Sequence, residues 1–160
     1  MSKNNNIDPD RIQLLEVKTV KGNIDVGDNL DETLVVGFTT DFDVSSMFRI
    51  EDQLVRFLFT ARFNGLGKDD ESLPLTAEFT FDFLFRIEGL KEYIIQVDKE
   101  KDQASVSSSL GHTLVAVIYS TARGIILTRT QGTIIKDGIL LPVINTQKLL
   151  KMTEDPKESE

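Results

Sequence analysis

Leu75-Thr76-Ala77-Glu78-Phe79-Thr80-Phe81-Asp82-Phe83-Leu84-Phe85-Arg86-Ile87 alternates with a period of two. The odd positions are all apolar and the even ones mostly polar. Successive side chains of a strand point to opposite faces, so this segment reads as a strand with one aromatic face buried and one face in water. A one-sided strand of that kind belongs to an antiparallel sheet.

The same alternation extends outward. In residues 54–64, Val55, Phe57, Phe59, Ala61 and Phe63 share one face, with Arg56, Thr60, Arg62 and Asn64 opposite. Residues 34–44 repeat it through Leu34, Val36, Phe38, Phe42 and Val44, and residues 12–21 read as one further strand. The Gly- and Asp-rich run 64–70 is a hairpin loop. Consecutive strands joined in this way imply an antiparallel meander.

After residue 106 the period lengthens. Ser107-Ser108-Ser109 offers N-cap hydroxyls, and Leu110, Leu114, Val117, Ile118, Ala122, Ile125 and Ile126 follow at helical spacing. Gln131-Gly132 ends the helix, as glycine commonly does. Gly124 inside it reads as a point of close packing or a kink. Residues 133–142 form an extended connection turning at Asp137-Gly138, and Asn145 caps a short helix over 146–152. The expected class is α+β, with one long and one short helix on one side of a four-stranded antiparallel sheet. Expected boundaries are a flexible tail over 1–10, one domain over 11–152 and an acidic tail over 153–160.

The chain has 160 residues, the size of one domain. It has no cysteine, which excludes a disulfide scaffold, thiolate zinc sites and a cysteine nucleophile. A net charge of -8 makes nucleic acid and anionic membranes poor partners, since both require a basic surface. No apolar run in the first ten residues resembles a signal peptide, and none elsewhere reaches the roughly 18 residues of a membrane span. A cytoplasmic protein without membrane insertion is expected.

Catalytic chemistry is hard to assemble. His112 is the only histidine. No Gly-x-Ser-x-Gly elbow or P-loop is present. Asp69, Asp70 and Glu71 read as a solvated hairpin tip. The Asp-rich run 25–32 lacks the residue order of a calcium-binding EF-hand loop. No catalytic residue, metal or cofactor is expected. The distinctive feature is aromatic: all ten phenylalanines lie between Phe38 and Phe85. Most must be core, and the remainder line a groove or a face that a partner covers.

Several short motifs fall in a familiar order. They are Ile24-Asp25, Ala77-Glu78-Phe79, Leu84-Phe85-Arg86-Ile87-Glu88-Gly89-Leu90, Leu110-Gly111, Ala122-Arg123, Arg129-Thr130-Gln131-Gly132-Thr133 and Leu140-Leu141-Pro142-Val143-Ile144-Asn145. Over about residues 12–150 this series resembles the SecB export-chaperone family. The resemblance implies a homo-oligomer, dimer or tetramer, that binds non-native polypeptides in apolar grooves and docks the translocation motor ATPase SecA through acids on its sheet.

Asp25 and Glu78 fall where the motor-docking acids lie. Lys21 stands where a further acid is expected, and Thr76 where a leucine is. The proline of the family's long helix is missing from Tyr119-Ser120-Thr121. Candidate groove residues are Phe38, Phe42, Phe57 and Phe59, with Ile134, Ile135 and Leu140 from the crossing segment. The function expected is an ATP-independent holdase for unfolded or preprotein chains, with a role in export. The alternatives are a dedicated chaperone for one client, such as an antitoxin, and a domain binding a small hydrophobic ligand.

Overall fold

The computed structural model describes residues 7–100, 103–135 and 137–149. Its centre is the strand whose alternation is strongest. β4 (Ser72–Ile87) lies between β1 (Ile12–Val26) and β3 (Leu54–Leu66), and β2 (Gly37–Arg49) pairs with the far side of β3. From Leu75 to Ile87 every odd-numbered side chain of β4 is buried. Phe57 stands opposite Phe83 and Phe59 opposite Phe81 in the β3–β4 register. Along β4 the rings of Phe79 and Phe81 stack with centroids 6.4 Å apart, and those of Phe83 and Phe85 at 6.5 Å. Such pairs add about 0.5–1.5 kcal/mol each beyond the area they bury.

The α+β class and the antiparallel sheet agree with the sequence pattern, but the strand order corrects the simple meander. Only β2, β3 and β4 follow one another by hairpins. β1 lies outside β4, giving the order β1-β4-β3-β2, a Greek-key arrangement. The most apolar strand thereby gains a neighbour on each flank. Residues 27–36 carry the chain across the sheet end from β1 to β2. They are pinned by Gly27 N–H to the Pro74 carbonyl at 2.6 Å and by Val36 N–H to the Leu66 carbonyl at 2.8 Å. Gly27 is required there, because a Cβ would lie 2.5 Å from Pro74 Cβ.

Beyond the sheet come two elements. The first is a hairpin in a stretch that the sequence pattern left unassigned: β5 (Ile94–Asp98) and β6 (Gln103–Val106). The second is α1 (Ser108–Thr130), which covers the aromatic face with Leu110, Leu114, Ile118, Ala122 and Ile126. Its Tyr119 ring meets Phe42 and Phe59 edge-on. Ser107 is the N-cap by position, but its hydroxyl makes no capping bond. Its backbone N–H instead donates to the Tyr93 carbonyl. Gly124 is neither a close contact nor a break: it is exposed, a Cβ there would meet nothing, and α1 continues through it. By length and composition α1 is apolar enough to cross a membrane, contrary to the reading that no stretch is; its core-facing side is buried against the sheet.

Asn145 caps the final turn as expected, its Oδ1 accepting from Gln147 N–H at 2.9 Å, and residues 146–149 are helical. The remainder of that helix and the tail over 153–160 lie outside the described residues, as do residues 1–6 of the expected N-terminal tail. Of that tail, Ile7 packs on the core and Asp8 caps the turn Pro9–Arg11.

Two substitutions test this architecture by urea unfolding. Phe81→Ala should cost about 3–5 kcal/mol, as for other buried rings. Gly27→Ala should cost about 1–3 kcal/mol by overpacking against Pro74.

Candidate binding cleft

The crossing from β1 to β2 also builds a wall. Asp31 accepts from Thr33 N–H at 3.0 Å and from the Thr33 hydroxyl at 2.6 Å, folding Glu32–Leu34 into a turn. The hydroxyl bond, then the backbone bond, holds the Asp31 carboxyl below its ordinary pKa. The turn presents Leu30, Val35 and Val36. Facing it, the segment after α1 folds back on the helix end. The buried Thr130 hydroxyl donates to the Ile126 carbonyl at 2.8 Å and accepts from Ile139 N–H at 2.7 Å. Gly138, at a φ of +74°, closes a turn by donating to the Ile135 carbonyl. Ile134 and Ile135 are thereby presented toward the crossing.

Between these walls lies an open cleft of about 450 Å³. Leu75 and Phe38 contribute from β4 and β2. Among the described residues its charged lining groups are Glu32 and Asp137. A cleft of this size, where apolar side chains alternate with polar groups, suits a few side chains of a ligand.

The structure brings Phe38, Ile134 and Ile135 together here, although nearly a hundred residues separate the first from the others. Four other groove candidates lie elsewhere. Phe57 and Phe59 are core, 4% and 0% exposed between sheet and helix. This corrects their assignment to a groove in the single chain. Phe42 is half-buried, stacked on Phe59 at 5.7 Å and touched by Tyr119. Leu140 is exposed, while its neighbours Ile139 and Leu141 fill the core.

The sequence reading missed Leu30, Val35, Val36 and Leu75 as lining residues. The signal for the first three was local: Asp31 followed two residues later by Thr33 marks a side-chain-capped turn, and apolar residues flank it.

Asp25 and Glu78 lie on the sheet face away from α1. Glu78 pairs with Lys21 at 3.0 Å and lies 3.8 Å from Arg62. Arg62 also pairs with Asp41 and Asp43. The lysine that replaces an expected acid therefore neutralises the acid that is present. Asp25 accepts from the Asn23 side-chain amide at 2.6 Å. The His112 ring meets the Thr146 hydroxyl at 3.4 Å.

No family model matches the sequence, and no curated protein matches it. Among solved structures it is similar to the Mycobacterium tuberculosis Rv1957 SecB-like chaperone, in complex with a ChAD peptide from the Rv1956 HigA1 antitoxin. That likeness has 13% identity and a TM-score of 0.53, and covers 86% of this chain and 93% of that one. It is also similar to a protein of unknown function from Streptococcus agalactiae, at 10% identity and a TM-score of 0.45 over 82% of this chain and 97% of that one. The first likeness makes the fold SecB-like.

Thr130→Val should cost about 1–3 kcal/mol by leaving the buried Ile139 N–H without an acceptor. Hydrogen exchange should accelerate over residues 134–139 in this variant, and Thr130→Ser should restore both properties.

Proposed function

We propose that this chain is an ATP-independent holdase chaperone that binds extended apolar segments of non-native polypeptides in the cleft between residues 30–38 and 134–138. The observation that carries the reading is that the cleft runs onto the start of a regular edge strand, whose outer flank hydrogen-bonds to no further strand among the described residues, although β6 packs near part of it. Gly37 and Phe38 belong to the cleft lining and also begin β2, which is an edge strand. β2 pairs with β3 from Gly37 to Arg49 without a register shift. The opposite edge, β1, is interrupted by bulges at Leu14/Glu16 and Thr19/Lys21, a common device for discouraging strand addition.

An extended client seated in the cleft can continue along β2 as an added strand. Main-chain hydrogen bonds supply affinity without reading sequence, and alternate side chains enter the apolar floor. Such binding requires no reaction, and we read the chain as a binder and not an enzyme. The Thr33 hydroxyl in the lining is committed to Asp31. The Mycobacterium tuberculosis neighbour was solved with a peptide bound, which favours a polypeptide over a small hydrophobic ligand as occupant.

The finer reading places the protein in the cytoplasm, handling preproteins for export as a homo-oligomer. Support for the oligomer comes from α1. No Asp, Glu, Lys or Arg occurs from Ser108 to Ala122, although 28% of the whole chain is charged, and a helix uncharged on all sides is usually covered. Docking of SecA through Asp25 and Glu78 is disfavoured, because Lys21 and Arg62 already engage Glu78. That pairing, with the antitoxin peptide bound to the neighbour, favours service to one dedicated client as the second reading.

Light scattering of a chemically unfolded client, diluted with and without the protein and without ATP, tests the proposal. Suppression at near-stoichiometric ratio is expected. Phe38→Ser combined with Ile134→Ser should weaken it about tenfold or more, as removal of central anchors does at other interfaces. Failure with several unrelated clients would exclude the general holdase and leave the dedicated one.

A further inference from the structure

The outer face of the sheet should be polar by its alternation, yet one end of it is not. Three rows cross the strands there. Gln13, Arg86, Leu54 and Arg49 form the first; Glu16, Leu84, Arg56 and Met47 the second; Lys18, Asp82, Leu58 and Ser45 the third. Four aliphatic side chains thus lie together on the face opposite the core. Met47 is 50% exposed and Leu58 41%, so nothing in the single chain covers them. A depression of about 270 Å³ sits among these residues.

Within these three rows the charges oppose the sign of the chain. Lys18, Arg49, Arg56 and Arg86 rim the aliphatic cluster, against Glu16 and Asp82. The two carboxylates have local partners: Glu16 lies 3.0 Å from Lys18, and Asp82 is gripped by Arg56 through Nε and Nη2. That grip, mainly its hydrogen bonds, holds the Asp82 carboxyl below its ordinary pKa. It also fixes the Arg56 head over the strands. Arg49 and Arg86 form no ion pair among the described residues and are exposed. At the other end of the same face, Asp25, Asp41, Asp43 and Glu78 outnumber Lys21 and Arg62. The cationic patch is therefore local, in a protein whose net charge is -8.

We infer that this end of the outer sheet face is a second docking surface, for an acidic segment of a partner protein that carries aliphatic side chains between its carboxylates. Carboxylates of the segment meet Arg49 and Arg86, whose planar heads suit bidentate pairing. Its aliphatic groups cover Met47, Leu54, Leu58 and Leu84. The surface is separate from the cleft, lying on the opposite face of the sheet, and it does not depend on the chaperone reading.

The test uses the full chain and two short fluorescein-labelled peptides, one alternating leucine and glutamate and the other leucine and lysine. Fluorescence anisotropy should show binding of the acidic peptide, stronger at low salt, and little binding of the basic one. Arg49→Glu with Arg86→Glu should weaken the acidic peptide about tenfold or more by setting like charges against it. The single change Leu58→Lys gives a second reading of the same surface and should weaken it too. Each variant is checked for an unchanged urea midpoint. Phe38→Ser, in the cleft, should leave binding of the acidic peptide unchanged. Equal binding of the two peptides, indifference to both surface variants, or loss of binding in Phe38→Ser would overturn the inference.

Discussion

The aromatic face of β4 imposes the constraint from which the rest of the structure follows. Four phenylalanines, with Leu75, Ala77 and Ile87, occupy one side of a single strand, and all are 3% exposed or less. A hairpin cannot bury such a face, and an edge position would leave one flank of the rings open. β3 supplies rings on one side and β1 supplies backbone and smaller side chains on the other. Gly22 lies opposite Phe79, where a Cβ would come 3.3 Å from the ring. The chain must then cross the sheet end to begin β2, and that crossing supplies one wall of the cleft. The outward position of β1 and the existence of the cleft thus share a cause.

The strands were legible because period-two alternation is a local signal. Residues 54–64 and 75–87 each separate apolar from polar almost completely. The long helix was legible for a similar reason, since its buried residues recur every three or four positions. Strand order was not, because alternation shows which face of a strand is buried and says nothing about which strand lies beside it. The hairpin β5–β6 escaped because its strands are short and carry exposed apolar residues, Ile95 at 73% and Val97 at 45%, so that no face stands out. Phe38, Ile134 and Ile135 were singled out by their apolar character and line the cleft, Ile135 only 8% exposed. Phe57 and Phe59 shared that character and proved to be core. Distinguishing them requires knowing where α1 ends laterally, which is tertiary information.

The outer face shows the same limit in reverse. Leu54, Leu58 and Leu84 each read as isolated exceptions within polar half-strands, and Met47 lies beyond the stretch read as strand. Only the register brings them side by side, with Arg49 and Arg86 on one row and Arg56 on the next. A few exposed aliphatic residues are ordinary on any protein. Grouped across three strands beside Arg49 and Arg86, which form no ion pair among the described residues, they make up the patch proposed to dock an acidic segment.

The remaining question is why an opening occurs on the core side at all. An α-helix with its side chains is about 10–12 Å wide. Four strands spaced about 4.8 Å apart span roughly 14 Å between the outer backbones, before side chains are counted. One helix therefore cannot cover such a sheet from edge to edge. On the β1 side the deficit appears as Leu14 and Val26, inward by register but 37% and 44% exposed. On the β2 side, irregular chain makes up part of it. The Tyr119 hydroxyl donates to the Pro142 carbonyl, and Arg123 Nε donates to the Leu141 carbonyl at 3.0 Å, strapping the post-helical segment to α1. That strap packs Ile139 and Leu141 inward but turns away at Gly138, leaving Phe38 and Leu75 beneath an open space. A second full helix would close that space and abolish the cleft. Among the described residues the helical layer is one long helix, a strap and the short turn at 146–149, and that narrow layer leaves the cleft open.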